Sequence, residues 1–289
     1  MELVVLSGKG GTGKTTIAAA LAELAQDVVR IDCDVDAPNF YLFYKGKDIQ
    51  KSNFSGGKKA FIDELLCTKC KRCETVCKFN AIENFKVNAF ACEGCGACTL
   101  VCPNNAVKLK DEKTADVFVT ESDKGIISRA EMEIGSDGSG KLITCLRKNG
   151  KKFNINDKLI ITDGSPGIGC AVISSMTGSD AVLIVTEPTK SGLEDLMRVT
   201  ALCEHFGIFT MVCINKYDIN EEMTIEIENF INDKALKLAG KIPYDDTVMQ
   251  SINELKPITN YKDSIANKAV QSMWNNIKNL IKLKYEEEF

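Results

Sequence analysis

Short apolar runs, each closed by glycine, asparagine or a carboxylate, recur along the chain and set the architecture it predicts. Leu3–Leu6, Asp27–Asp32, Lys158–Asp163, Ala181–Pro188 and Ile208–Ile214 lack the polar alternation of a half-exposed strand, so they read as parallel strands buried on both faces. Ile17–Leu24 and Ser191–Phe206 carry the periodicity of helices between them. The pattern predicts an α/β fold, a mostly parallel sheet with helices on both faces. Lys45–Lys59, rich in Lys, Gly, Ser and Asn, reads as a loop leading into an insertion over 55–112, which leaves 1–54 and 113–289 as one discontinuous domain. Between 114 and 158 the pattern weakens to a strand at Asp116–Thr120, a glycine/serine loop over 135–140 and a helix at Lys141–Arg147. The segment 262–283 places Ile265, Ala269, Met273, Ile277 and Leu280 on one helical face, expected to pack on the core.

The first strand runs into Ser7-Gly8-Lys9-Gly10-Gly11-Thr12-Gly13-Lys14-Thr15-Thr16, and a helix follows. Strand, glycine loop and helix are the context of a phosphate-binding loop. Backbone N–H groups turn inward there, and the helix N-terminus adds partial positive charge. Lys14 is expected to reach the β- and γ-phosphates, and the Thr15 hydroxyl to hold Mg²⁺.

With Lys9 second in the loop, the pattern resembles the deviant Walker A loop of the MinD/Mrp/ParA ATPases and the nitrogenase iron protein. That resemblance implies a dimer, homo- or heteromeric, in which the lysine matching Lys9 reaches the partner's phosphates as an arginine finger does. It also implies roles further along the chain. Asp32 and Asp34 match switch I, the first assisting the Mg²⁺ shell and the second orienting the attacking water, while Asp36 has a weaker claim. Asp163 matches the Walker B carboxylate, acting on Mg²⁺ through water, and Gly164 and Gly167 match switch II. Asn215-Lys216-Tyr217-Asp218 alone resembles the guanine-reading motif of GTPases. In the MinD type the matching asparagine reads adenine beside a proline, here Pro243, so ATP is expected over GTP.

Thirteen cysteines stand in the chain, and eight of them fall within 67–102. Cys67-x-x-Cys70-x-x-Cys73-x-x-x-Cys77 is repeated as Cys92-x-x-Cys95-x-x-Cys98-x-x-x-Cys102-Pro103. Triple Cys-x-x-Cys runs favour iron–sulfur clusters over zinc. The doubled run resembles bacterial two-cluster ferredoxins, with Lys78 in place of the usual first proline. That resemblance implies two [4Fe–4S] clusters: one on Cys67, Cys70, Cys73 and Cys102, the other on Cys92, Cys95, Cys98 and Cys77. Cys170, with Cys145 as its companion, lies near where the nitrogenase iron protein places a subunit-bridging cysteine; a small buried cysteine is the plainer reading. His205, the single histidine, closes a helix and reads as structural or exposed.

Net charge is −4, with 44% hydrophobic and 26% charged residues, which gives no general attraction to nucleic acid or anionic lipid. No apolar run approaches the ~20 residues that span a bilayer, the acidic end Glu286-Glu287-Glu288 opposes lipid binding, and a cytoplasmic location is expected. Three roles follow. ATP hydrolysis could drive low-potential electron transfer to a redox partner. It could serve cluster assembly with delivery to an acceptor protein. A positional switch of the ParA/MinD kind is the third, and the charge and C-terminus encourage it least.

Overall fold

The computed structural model describes residues 1–136, 140–154 and 157–287; Asp137–Ser139 of the glycine/serine stretch and Glu288 of the acidic end lie outside them. By internal contacts the chain divides into two compact units, one of residues 1–51, 117–130 and 138–289, the other of 52–116 and 131–137.

The first unit opens with β1 (Glu2–Ser7), α1 (Lys14–Ala25) and β2 (Val29–Asp32). β3 (Gly46–Phe54) and β4 (Gly57–Ile62) follow. The expected loop over 45–59 is therefore two strands. Apolar patterning misses β3 because it is the edge strand of its sheet, mostly exposed, and edge strands carry lysines that block further pairing. The second unit continues with α2 (Arg72–Val76), β5 (Ile82–Glu83), β6 (Lys86–Val87), α3 (Ala97–Leu100) and β7 (Val107–Glu112). Next come β8 (Ala115–Ser122), β9 (Gly125–Met132), α4 (Gly140–Lys152) and β10 (Ile160–Pro166). The chain ends with α5 (Cys170–Met176), β11 (Ala181–Thr186), α6 (Lys190–His205), β12 (Phe209–Asn215), α7 (Glu221–Asp233), β13 (Lys237–Ile242), α8 (Asp246–Asn253) and α9 (Ile265–Glu287).

Nine strands form one sheet in the order β13-β12-β11-β1-β10-β2-β9-β8-β3. The pairs from β13 across to β9 that have a defined register are all parallel. Side chains alternate across β1: Leu3 and Val5 join a core with α1 and α9, while Val4 and Leu6 join a core with α5, α6 and α7. Burial on both faces explains the uninterrupted apolar runs.

α9 buries Ala266, Val270, Met273, Trp274 and Ile277. Met273 and Ile277 are buried as the apolar count suggested and Ala269 and Leu280 pack against the same core, but Ile265 is exposed at the helix start. Ala266, buried in the same core, takes the inward position in its place, which packing decides and hydropathy does not.

In the second unit β4 pairs antiparallel with β7, and β5 with β6. Its two cysteine runs share backbone form at a constant offset. Positive φ occurs at Lys69, Lys71 and Asn80 (55°, 63°, 50°) and again at Gly94, Gly96 and Asn105 (61°, 80°, 51°). Ala81 and Ala106, with Ile82 and Val107 behind them, are buried at the ends of the two runs.

Candidate nucleotide site and cysteine module

Parallel strands deliver their carboxyl ends to one rim of the sheet, and the predicted motifs all follow those ends. β1 leads into the glycine loop, β2 into Asp32–Asp34, β10 into Gly164–Gly167, β12 into Asn215–Lys216 and β13 into Pro243. Asp163 is directly paired with Asp32 in the β10–β2 register.

Lys14 sits at the centre of this rim. Its Nζ lies 2.7 Å from Asp163 Oδ1 and 3.2 Å from Asp34 Oδ2, and the Thr15 hydroxyl donates to Asp163 Oδ2 at 2.7 Å. Asp32 accepts from the backbone N–H of Asp34 at 3.2 Å and of Phe40 at 3.1 Å. Burial alone would lower the Lys14 pKa; Asp163 and Asp34 outweigh it, so the ammonium is held above its ordinary value. Asp32 is driven well above the usual carboxylate range, first by burial and then by the neighbouring Asp163 charge, with Lys14 opposing. Burial also raises Asp34, against Lys14. Three carboxylates converging on one cation fit a hard divalent ion with oxygen ligands, whose charge would relieve their repulsion.

The glycine loop is built for a ligand. Gly13 has φ 89°, and a Cβ there would lie 2.5 Å from Asn215 Nδ2. Asn215 Nδ2 in turn donates to Thr12 O at 2.8 Å, which ties the β12 loop to the P-loop. The buried Thr12 hydroxyl has no hydrogen-bond partner among the described residues. Gly8 lies against Asp195, Gly10 faces open space and Gly11 has φ 81°. Gly167 N–H donates to Ser7 O at 2.9 Å, and Gly164 packs where a Cβ would meet Leu6. A cavity of about 230 Å³ is lined by Gly11, Gly13, Thr16, Asn215, Lys216 and Pro243 among others, beside apolar residues of α8 and α9. Asp218 Oδ1, which would read guanine in a GTPase, accepts from Tyr244 N–H at 2.8 Å.

Lys9 does not join Lys14. Its Nζ lies 2.9 Å from Glu187 Oε1 and donates to Ser191 Oγ at 2.9 Å and Thr189 Oγ1 at 3.2 Å, and Glu187 also pairs with Lys216 at 3.5 Å. Sequence reading passed over Glu187. The available signal was a carboxylate at the end of the buried strand β11, the position where the other site residues stand.

In the second unit all eight cysteines are free thiols. Cys77, Cys92, Cys95 and Cys98 line one cavity together with Ala81 and Ile82. Cys70 and Cys102 line a separate open groove. Amide N–H groups donate to sulfur at three of them: Ala81 to Cys77 at 3.3 Å, Ala106 to Cys102 at 3.2 Å and Ala60 to Cys92 at 3.4 Å. The first two occupy equivalent places in the two runs. Among the described residues no group of three His, Cys, Asp or Glu side chains closes around a single metal ion. Cys170 is exposed rather than the small buried cysteine expected, standing at the start of α5, and Cys145 is half-buried.

Strand order, glycine loop and convergent carboxylates define a P-loop nucleotide-binding protein. Residues 3–258 match the CobQ/CobB/MinD/ParA nucleotide binding domain (CbiA), and the chain belongs to that family. An uncharacterized protein of Methanocaldococcus jannaschii is 34% identical over 285 residues, 97% of this chain and 98% of its own length. The septum site-determining protein MinD of Buchnera aphidicola is 23% identical over 279 residues, 91% of this chain and 85% of its own. The solved structure of MinD complexed with Mg-ADP from Pyrococcus horikoshii shares the fold with a TM-score of 0.58 and 19% identity, covering 98% of this chain and 99% of that one. MinD/ParA proteins are ATPases, and this chain is an ATPase. No described helix is long and apolar enough to cross a membrane.

Proposed function

We propose that this chain is an ATP-switched iron–sulfur protein that passes low-potential electrons to a partner, with residues 55–112 as an inserted two-cluster ferredoxin-like module. One observation carries the reading. Cys77 from the first run joins Cys92, Cys95 and Cys98 from the second around one cavity, the crossed donor set that a doubled ferredoxin motif requires. The free thiols and the amide-to-sulfur hydrogen bonds support it, since such bonds tune cluster potentials. The second set would be Cys67, Cys70, Cys73 and Cys102. When bound, each cluster would supply one-electron exchange.

At the nucleotide site, Lys14 would exchange Asp163 and Asp34 for the β- and γ-phosphates. Thr15 would turn its hydroxyl to Mg²⁺, with Asp32 and Asp163 holding the ion's shell through water. Asp34, released from Lys14, would orient the attacking water. Asn215 and Pro243 would hold adenine in the adjoining cavity, with Asp218 engaged by Tyr244 and so withheld from guanine. Lys9 would leave Glu187 and reach across a dimer to the partner's phosphates, as the nitrogenase iron protein's resemblance implies.

The MinD-like fold over the whole chain favours a second reading, a positional switch of the ParA/MinD kind. It requires ATP-dependent attachment to vesicles or DNA. Delivery of clusters to an acceptor is a third use of the same parts, and predicts that iron leaves the protein. An anaerobic EPR redox titration with and without Mg·ATP tests the first reading. A shift of tens of millivolts couples nucleotide to redox free energy, since 59 mV is tenfold for one electron. Purified protein without iron refutes the reading outright, and unchanged potentials with ATP-dependent surface binding favour the switch.

A further inference from the structure

The two halves of the cysteine module match in backbone and differ in charge. Lys69, Lys71, Arg72 and Lys78 stand exposed on the first run, with no ion-pair partner among the described residues. Their counterparts on the second run are Gly94, Gly96, Ala97 and Pro103, all uncharged. Two lysines of β4 are paired, Lys58 with Asp111 at 3.8 Å and Lys59 with Glu112 at 3.6 Å.

Two of the four cations occupy strained positions. Lys69 and Lys71 have φ of 55° and 63°, at the places where the other half has glycine. A residue with a Cβ costs about 1–2 kcal/mol in this conformation. Among the described residues neither side chain makes a hydrogen bond or ion pair that would offset that cost, and charge is a property lysine brings to these positions that glycine does not. Lys78 likewise stands where the second run has proline. Arg72 and Lys78 line an open groove of about 670 Å³ together with Cys70, Cys102 and Leu100, and Lys69 and Lys71 are the chain neighbours of Cys70. Leu100 is 88% exposed. An apolar centre within a charged rim, beside two of the expected ligands of one cluster, has the make-up of a transient docking face.

We infer that this groove docks the acidic surface of a one-electron carrier protein, beside the cluster that Cys67, Cys70, Cys73 and Cys102 would hold. The inference rests on the cluster reading above. When bound, that cluster would supply one-electron exchange, one electron gained for each the carrier's centre loses or the reverse, with no bond to the protein formed or broken. Unpaired surface cations steer such an encounter over about a Debye length, ~10 Å at 0.1 M salt, so association falls as salt rises. Nucleic acid fits less well, because it gives no role to the exposed Leu100.

The test is titration calorimetry of the iron-loaded protein against an acidic flavodoxin, with a basic cytochrome c and a DNA duplex as further probes. Lys69→Gly/Lys71→Gly takes the residues of the other half, so it relieves backbone strain while removing two charges. Flavodoxin affinity should fall about tenfold in this variant at low salt, with iron content and EPR signals unchanged. It should fall further in Arg72→Glu. Leu100→Ser should weaken binding without altering its salt dependence. Unchanged flavodoxin affinity in an iron-loaded variant overturns the docking face and leaves the cluster reading standing. Equal affinity for cytochrome c, or DNA binding with the same loss in the variant, also overturns it. A wild-type protein without iron overturns both.

Discussion

Gly13→Ala probes the nucleotide loop where geometry leaves it least freedom. The residue has φ 89°, and the new Cβ would fall 2.5 Å from Asn215 Nδ2. Left-handed backbone costs alanine about 1–2 kcal/mol relative to glycine. Relief of the clash moves the Asn215 amide off Thr12 O, a 2.8 Å hydrogen bond whose loss costs about 1 kcal/mol. The sum is about 2–3 kcal/mol, a factor of roughly 30 to 150. If the loop keeps its shape, the whole cost appears in unfolding free energy. If it relaxes, stability is spared and nucleotide affinity carries the loss. Urea unfolding with and without saturating Mg·ATP separates the two, and the unfolding free energy with nucleotide bound should fall by about 2–3 kcal/mol either way. Values within about 0.5 kcal/mol of wild type under both conditions would refute the argument.

Glu2 is buried and accepts from Arg147 Nε and Nη2, both at 2.8 Å, with Lys151 3.0 Å away. Burial alone would raise its pKa, but Arg147 outweighs it and the value is lowered. Its contribution is therefore present above the unfolded value of about 4.3 and lost as pH falls through the lower folded value. Glu2→Gln should cost about 3 kcal/mol at pH 7 by leaving Arg147 unneutralised, and should flatten stability against pH below about 4.3 in chemical denaturation series. Ile277→Ala, on the buried face of α9, should destabilise by about 2–5 kcal/mol in urea melts, whereas Ile265→Ala at the exposed start should change little. Cys77→Ser should remove the EPR signal of one cluster, while Cys102→Ser removes the other; loss of the same signal in both would contradict the crossed ligand sets. EDTA should abolish ATP hydrolysis in a phosphate-release assay, with recovery on adding Mg²⁺.

The nucleotide-binding domain was legible in advance from residues close together in the chain. The loop 7–16 announces phosphate because a strand and a helix must flank it, and the cysteine runs announce their spacing through the chain itself. The strands buried on both faces, β1, β2, β10, β11 and β12, read as apolar runs for the same local reason. Tertiary packing alone decided the rest. β3 is polar because it forms an edge, so its strand character resides in pairing with β8 rather than in its side chains. The inward face of α9 begins at Ala266 rather than Ile265 because of how the helix seats on the sheet. Lys9 rests on Glu187, Thr189 and Ser191, distant in sequence and joined to it only because β1 and β11 are neighbours. Local motifs specify which groups can bind phosphate or metal. The strand order, which no local pattern encodes, specifies which distant carboxylates and amides those groups meet.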